Sequence, residues 1–349
     1  MRIGMIAPPW FPLPPQRYGG IEFVVSLLTE GLVARGHDVT LFASGDSETQ
    51  ARLSYIFARA PFEQMEGGGH LEVMHSLDAY TREDEFDIIH DHDGLASRAL
   101  GALVHRLTGK PVVATLHGPA DPITQQALSS LRADLRFIAI SDYQRQGFPD
   151  LDFVGTIPNA IDVEHMPFSA DKDDYLLFIG RMTPDKGAHT AIRVARVLGQ
   201  RLIMAGKVNE GPEHDYFAAE VEPYLSDKVH FRGEVDHYTK VRLYERARCT
   251  LFPIQWPEPF GLVMIESLAA GTPVVAFRRG AVPEVIEHGR TGFIVDTLDE
   301  MVEAVRHVDE IDPAECRRAV EERFDLGPFV EAHERAYEKL LALECKTGQ

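Results

Sequence analysis

The chain has 349 residues, 44% hydrophobic and 26% charged, with 35 Lys and Arg against 54 Asp and Glu for a formal charge of −19. That length exceeds one ordinary compact domain and suits two, and the apolar content excludes general disorder. Both halves are acidic, so the basic footprint of a nucleic-acid binder is not expected and a strong polycationic membrane patch is disfavoured, though a local one is not excluded.

Residues 2–7 form a short apolar run ending in Pro8-Pro9 and predict a first strand. Residues 21–35 place Phe23, Val24, Leu27, Leu28 and Leu32 on one helical stripe. Gly36 follows, where a helix C-terminus favours glycine. Residues 38–43, 86–90, 111–116 and 136–140 read as further strands with helical stretches between them. Such alternation predicts a parallel sheet covered on both faces. Residues 157–174 are polar and proline-punctuated, as a linker would be. The pattern then restarts, with strands at 175–179, 201–205, 229–232, 250–252 and 273–276 and helices opening at Lys186 and Gly261. Residues 298–345 read as almost wholly helical. The expected fold class is α/β, with two Rossmann-like parallel-sheet domains facing across a cleft. Their expected extents are 1–165 and 166–326, with a C-terminal helix in 327–349 packing back on the first domain.

The opening apolar run is too short for a secretory signal, and no stretch approaches the ~20 apolar residues of a membrane span. A cytoplasmic protein without stable membrane insertion is expected. Cys249, Cys316 and Cys345 are odd in number and far apart, so neither a disulfide framework nor a zinc ribbon is expected.

Ligands of open parallel sheets bind beyond the carboxyl ends of the strands, so the informative residues should follow strands. Gly180-Arg181-Met182-Thr183-Pro184-Asp185-Lys186-Gly187 does so. Arg181 offers a planar fork and Lys186 a point charge, and both can converge on one anion at a helix N-terminus. A diphosphate clamp and a pair of merely solvated cations both fit that run taken alone. Glu258-Pro259-Phe260-Gly261-Leu262-Val263-Met264-Ile265-Glu266 is more informative. Two carboxylates there bracket bare amides at a helix start. Carboxylates accept from sugar hydroxyls, and the amides donate to phosphate or hydroxyl oxygens. Glu266 lies more than a turn into an apolar helix and needs a partner.

His117 ends the strand at 111–116, where it could reach a ligand or be satisfied by local backbone. His90-Asp91-His92-Asp93, with His117, has the residue types of a zinc or manganese site. Adjacent strand residues point to opposite faces, however, and no metal is expected. Asp91 and His92 are candidates for lining the acceptor side, with a structural role the simpler alternative. Asp121 and Ser141 also follow strand-end positions and are acceptor-side candidates.

The spacing Gly-Arg-x4-Lys-Gly followed by Glu-x7-Glu resembles the family 4 retaining glycosyltransferases of GT-B fold. Tyr18-Gly19-Gly20-Ile21-Glu22, Ile157-Pro158-Asn159-Ala160-Ile161-Asp162, Gly271-Thr272-Pro273, Pro283-Glu284-Val285-Ile286 and Gly289-Arg290-Thr291-Gly292-Phe293 add to the resemblance. It runs over residues 1–340. Ala160, where the family usually has Gly, departs from it in linker geometry only.

The resemblance implies that Arg181 and Lys186 bind the donor diphosphate, Glu258 the transferred sugar and Glu266 the ribose. It assigns the backbone of Gly180, Phe260, Gly261 and Leu262 to sugar and phosphate, that of Val235 to the base, and Gly206 to the flank of the same pocket. Gly19 and Gly20 would let the first loop approach the donor, and His117 would lie near the donor sugar. It implies no cofactor and no metal, only a substrate nucleotide sugar such as a UDP-, GDP- or ADP-hexose, and a hydroxyl acceptor that the sequence does not name. Oligomeric state is not legible. A phosphorylase or epimerase on the same architecture, or a non-catalytic nucleotide-sugar sensor, are the alternatives. A dehydrogenase is disfavoured, since no Gly-x-Gly-x-x-Gly follows the first strand.

Overall fold

The computed structural model describes residues 1–17, 19–65, 67–209 and 211–347, with side chains described up to residue 343. Tyr18 and the side chain of Cys345 lie outside the described residues. The chain divides into two compact units, residues 1–159 with 326–349, and residues 160–325.

The first unit carries strands β1 (Arg2–Ile6), β2 (Asp38–Phe42), β3 (Arg52–Ser54), β4 (Ile88–Asp91), β5 (Val112–Thr115), β6 (Arg136–Ala139) and β7 (Phe153–Thr156). They form one sheet in the order β3-β2-β1-β4-β5-β6-β7, parallel throughout. The central strands are apolar runs because both faces are covered; Ile3, Met5, Ile89, Ala114 and Phe137 are fully buried. The edge strands β3 and β7 were not apparent in the sequence. Each is short and half-exposed, so no apolar run marks it.

Helix Gly20–Ala34 buries Val24, Val25, Leu28 and Leu32, while Phe23 and Leu27 sit at the margin of its buried face. Helix Leu326–Thr347 belongs to this unit and packs against helix Gly20–Ala34. Glu334 accepts from Arg35 Nε at 2.8 Å and meets His37 Nε2 at 2.8 Å. Lys339 Nζ donates to the Val154 carbonyl at 3.1 Å.

The second unit carries β8 (Leu176–Ile179), β9 (Leu202–Ala205), β10 (Val229–Phe231), β11 (Cys249–Phe252), β12 (Val274–Phe277) and β13 (Gly292–Val295). Their order is β10-β9-β8-β11-β12-β13, again all parallel. Helix Ala188–Leu198 seats Ala191, Ile192 and Ala195 on Leu176, Phe178 and Met204 of the sheet. Helix Leu298–Arg306 adds Met301 and Val305 to the same core. Each such buried Ile, Leu, Val, Met or Phe side chain contributes about 1.5–3 kcal/mol relative to exposure.

The boundary falls before residue 160 rather than after 165. Residues 160–174, read above as linker, are tied down within the second unit. Ile161 bridges to Asp325, and Arg317 donates to the Val163 and Met166 carbonyls at 2.6 and 2.9 Å. Lys172 Nζ donates to Glu245 O, Ala270 O and Thr272 Oγ1 at 2.8–3.0 Å. Burial pushes that ammonium down to about 8. Polar composition here marks capped backbone, not a free tether. Among the described residues, no helix is long and apolar enough to cross a membrane.

Four histidines meet inside the first unit. His117 Nε2 lies 2.9 Å from His92 Nδ1, His92 Nε2 lies 3.2 Å from His90 Nδ1, and His90 Nδ1 lies 2.7 Å from Tyr337 Oη. His90 Nε2 reaches Thr115 Oγ1 at 2.8 Å, and the His333 ring stands 5.6 Å from that of His90. Burial pushes His117 down to about 3 and His333 to about 4, and lowers His90 and His92 as well. All four are therefore neutral near pH 7.

A histidine with a depressed folded pKa contributes stability that is complete above its unfolded value. That stability is lost as pH falls toward the folded value. Between pH 7 and pH 5, two such groups remove about 4 kcal/mol. The melting temperature is expected to fall accordingly over that range, and less steeply in His117→Gln. Identical pH slopes in the two proteins would contradict the packing described.

Candidate active site

In the second unit the strand order reverses between β8 and β11, with β9 and β10 on one side and β12 and β13 on the other. Leu177 of β8 pairs directly with Thr250 of β11, so the loops leaving these two strands emerge side by side. Reversal points of open parallel sheets are where ligands bind. The loop after β8 carries Arg181 and Lys186, and the loop after β11 carries Glu258.

Two backbone contacts lock the loops together. Gln255 N donates to Asp185 O at 2.7 Å. Gly187 has φ +81° and presses on Pro253, where an added Cβ would lie 2.2 Å from the carbonyl oxygen. Glycine alone meets both demands. Gly187 also ends the loop: the helix starts at Ala188, two residues later than the expected start at Lys186. Lys186 therefore stands ahead of the helix, free to turn toward Glu258.

Lys186 Nζ donates to Glu258 Oε2 at 2.8 Å, and Trp256 Nε1 donates to the same oxygen at 3.0 Å. The ammonium lies 4.6 Å from the Trp256 ring centroid. Arg181 turns elsewhere. Its Nε donates to Glu213 Oε1 at 3.0 Å, and its Nη2 engages the same oxygen. Glu213 Oε2 accepts from Asn209 N at 2.8 Å. Burial pushes the Glu213 carboxyl up, and its bonds to Arg181 and Asn209 bring it below the ordinary range. The two cations thus rest on separate carboxylates rather than on one point.

The neighbouring loops are layered tightly. Gly206 follows β9, and a Cβ there would lie 1.8 Å from Gly180 O. Gly206 N donates to Gly233 O at 2.9 Å, which brings the loop of Val235 alongside. Gly180, Gly206 and half-buried Val235 are thereby gathered at the carboxyl ends of β8, β9 and β10.

Helix Leu262–Ala269 starts beside Glu258, with Gly261 as its cap and half-buried Leu262 as its first residue. Phe260 is buried edge-on to Phe324, with ring centroids 5.7 Å apart, so only its backbone can face a ligand. Glu266 is buried in this helix and has its partners. Lys240 Nζ donates to Oε1 at 2.6 Å and Tyr244 Oη to Oε2 at 3.1 Å, both from helix His237–Arg246.

The candidates of the first unit separate into two kinds. Gly19 follows β1 and caps helix Gly20–Ala34, whose exposed first residue is Gly20. His117, at the end of β5, is partly exposed and is the outer member of the histidine chain. Asp91, an acceptor-side candidate, lies in the interior of the first unit. It is fully buried and accepts from Tyr80 Oη, Ser97 Oγ and Asp93 N, each at 2.8 Å. His92 is likewise interior, at 2% exposure, between two other histidines. Asp121 and Ser141 are helix caps. Asp121 accepts from the amides of Ile123 and Thr124 at 3.0 Å, and Ser141 Oγ from Gln144 N at 3.0 Å.

Residues 18–165 match the family described as Glycosyltransferase Family 4, and residues 164–323 that described as Glycosyl transferases group 1. The chain belongs to this glycosyltransferase family. The glycosyltransferase is 28% identical to a glycogen synthase of Mycobacterium tuberculosis, over 91% of its own chain and 88% of the relative. It is 27% identical to a phosphatidyl-myo-inositol mannosyltransferase of Mycolicibacterium smegmatis, over 89% and 86% of the two chains. A solved glycosyltransferase involved in avilamycin A biosynthesis shares 25% identity and superposes with a TM-score of 0.73, covering 98% of each chain. The fold is GT-B.

Sequence reasoning missed the partners of this glycosyltransferase's site residues. Glu213 and Lys240 sit on other helices, and no local pattern announces them. Trp256, two residues before Glu258, was adjacent to a motif and could have been found. So could Glu22, inside the first glycine motif. Its side chain is 5% exposed, and burial pushes its carboxyl up from 4.5 to about 7. A buried carboxyl that titrates near neutrality beside a glycine loop is a functional candidate.

Glu22 binds its proton more tightly folded than unfolded between pH 4.5 and about 7. The stability of the protonated form is complete below that window and is lost as pH rises through it. Glu22→Gln keeps the shape without the charge. It is expected to raise the unfolding free energy near pH 8 by up to about 3 kcal/mol, read as a higher melting temperature, and to change nothing below pH 4.5. A pH-independent effect would place the carboxyl in water.

Proposed function

We propose that this glycosyltransferase moves a hexosyl group from a nucleotide-diphosphate sugar to a hydroxyl acceptor, with retention at the anomeric carbon and without a metal ion. The observation that carries the reading is the meeting of Lys186 and Glu258 at 2.8 Å, at the point where the β8–β11 order reverses. A cation and a carboxylate fixed side by side suit a donor that is a phosphate at one end and a polyol at the other. The hexosyl part is supported by relatives named for glycogen synthesis and mannosyl transfer.

In this reading Arg181 and Lys186 leave their carboxylates for the diphosphate. Glu258 takes sugar hydroxyls, and Glu266 takes the ribose hydroxyls. The amides of Gly261 and Leu262 complete the cradle, with the backbones of Gly180, Gly206 and Val235 around the nucleotide. The bond between C1 and the phosphate oxygen breaks with its electron pair passing to that oxygen. The acceptor oxygen bonds to C1 on the same face, and its proton goes to the departing phosphate. Once on the diphosphate, the two cations stabilise the charge that develops on the leaving group, the task a metal ion performs elsewhere. His117, held neutral near pH 7, serves as a hydrogen-bond partner and not as a proton donor. Activated sugar nucleotides as donors, and the buried free thiols of Cys249 and Cys316, suit a cytoplasmic setting.

Calorimetry against UDP-, GDP- and ADP-hexoses is expected to show one family binding. Glu266→Gln should weaken it by at least about 1 kcal/mol, as lost charged hydrogen bonds require. Arg181→Ala should lower kcat by about 10²–10³. The product should keep the donor's anomeric configuration by NMR. Absence of binding to all three families would overturn the proposal.

A further inference from the structure

Trp256 touches two residues of the donor site in different ways. Its indole N–H donates to Glu258 Oε2 at 3.0 Å, and its ring lies 4.6 Å from the Lys186 ammonium. A three-residue turn produces this arrangement, since Glu258 N donates to Trp256 O at 2.9 Å across Pro257. Ala281 N donates to Glu258 O at 2.9 Å and so ties the turn to the neighbouring loop. Trp256 is half-buried, as is Glu258, so the contacts are partly screened from water and correspondingly stronger.

We propose that Trp256 is a positioning residue of the donor site, which sets the phosphate-facing Lys186 and the hydroxyl-facing Glu258 as one unit. The N–H fixes which carboxylate oxygen faces Lys186, and the ring face fixes where the ammonium waits. Both donors address Oε2, so Oε1 is not tied by either of them. A donor that draws the ammonium toward its diphosphate removes a cation from the indole face. Trp256 then reports binding through its own emission. This rests on the donor-site reading above.

The test uses UDP-glucose, GDP-mannose and ADP-glucose as probes. The chain has two tryptophans, Trp10 and Trp256, so Trp10→Phe isolates the second. In that folded variant the probe that binds is expected to change the emission saturably, with the Kd found by calorimetry. Trp256→Phe keeps a ring face and loses the N–H; Trp256→Leu loses both. Donor affinity should fall about fivefold in the first and further in the second. In a Glu258→Gln background, Trp256→Phe should add less than it costs in the wild type, which a merely structural residue would not show. Tight binding with silent Trp256 emission, or fully additive losses, overturns the positioning role and leaves the donor site standing. Failure of all three probes to bind the wild type overturns both.

Discussion

The ion pair between Lys186 and Glu258 joins positions 72 residues apart, and the second unit is arranged to make it possible. Their side chains are 23% and 12% exposed. Charges so far withdrawn from water lose solvation that must be replaced by a partner and further hydrogen bonds. The replacement is provided by backbone geometry. Parallel pairing of β8 with β11 brings two strand ends together, and the contact of Gly187 with the Pro253 carbonyl closes the remaining gap. A side chain at 187 would push the loops apart and strand both charges.

The same logic repeats twice nearby. Arg181 lies on Glu213, whose side chain is 9% exposed, and Lys240 lies on Glu266, at 6%. Each buried carboxylate is satisfied from an element distant in sequence. The helices Pro212–Glu220 and His237–Arg246 therefore carry the partners of the candidate site's charges and do not only cover the sheet. In the first unit the polar interior is handled differently. Its histidines pair with one another and with Tyr337 as neutral rings, and Asp91 is quenched by three donors. One unit holds partly buried ion pairs at its strand ends; the other holds chains of hydrogen-bonded histidines in its core.

This difference explains what the sequence disclosed. Central strands were legible because burial on both faces forces continuous apolar runs. The loops were legible because Gly180, Gly187 and Gly261 mark strand-to-helix turns. The pair Arg181 and Lys186 could be read as cations, and Glu258 and Glu266 as carboxylates. What each of them rests on could not, since no periodicity links Arg181 to Glu213 or Glu266 to Lys240. The edge strands β3 and β7 escaped for want of a buried face. Asp91 and His92 suggested a ligand site because residue type was visible and burial was not. Asp121 and Ser141 were polar residues at helix starts, where capping accounts for them without any ligand.

Arg181, Lys186 and Lys240 at the strand-end region of the second unit each lie on a carboxylate, a paired arrangement as it stands. A nucleoside diphosphate brings negative charge and cannot simply add to it. On the proposed reading Arg181 and Lys186 would exchange a carboxylate for a phosphate, and the released Glu258 would need new donors. Sugar hydroxyls are such donors. Binding of the diphosphate and binding of the sugar are then two halves of one exchange. A phosphate without a sugar would strand Glu258, and a sugar without a phosphate would find Oε2 of Glu258 already taken. On the proposed reading, selectivity for the intact donor would follow from that coupling.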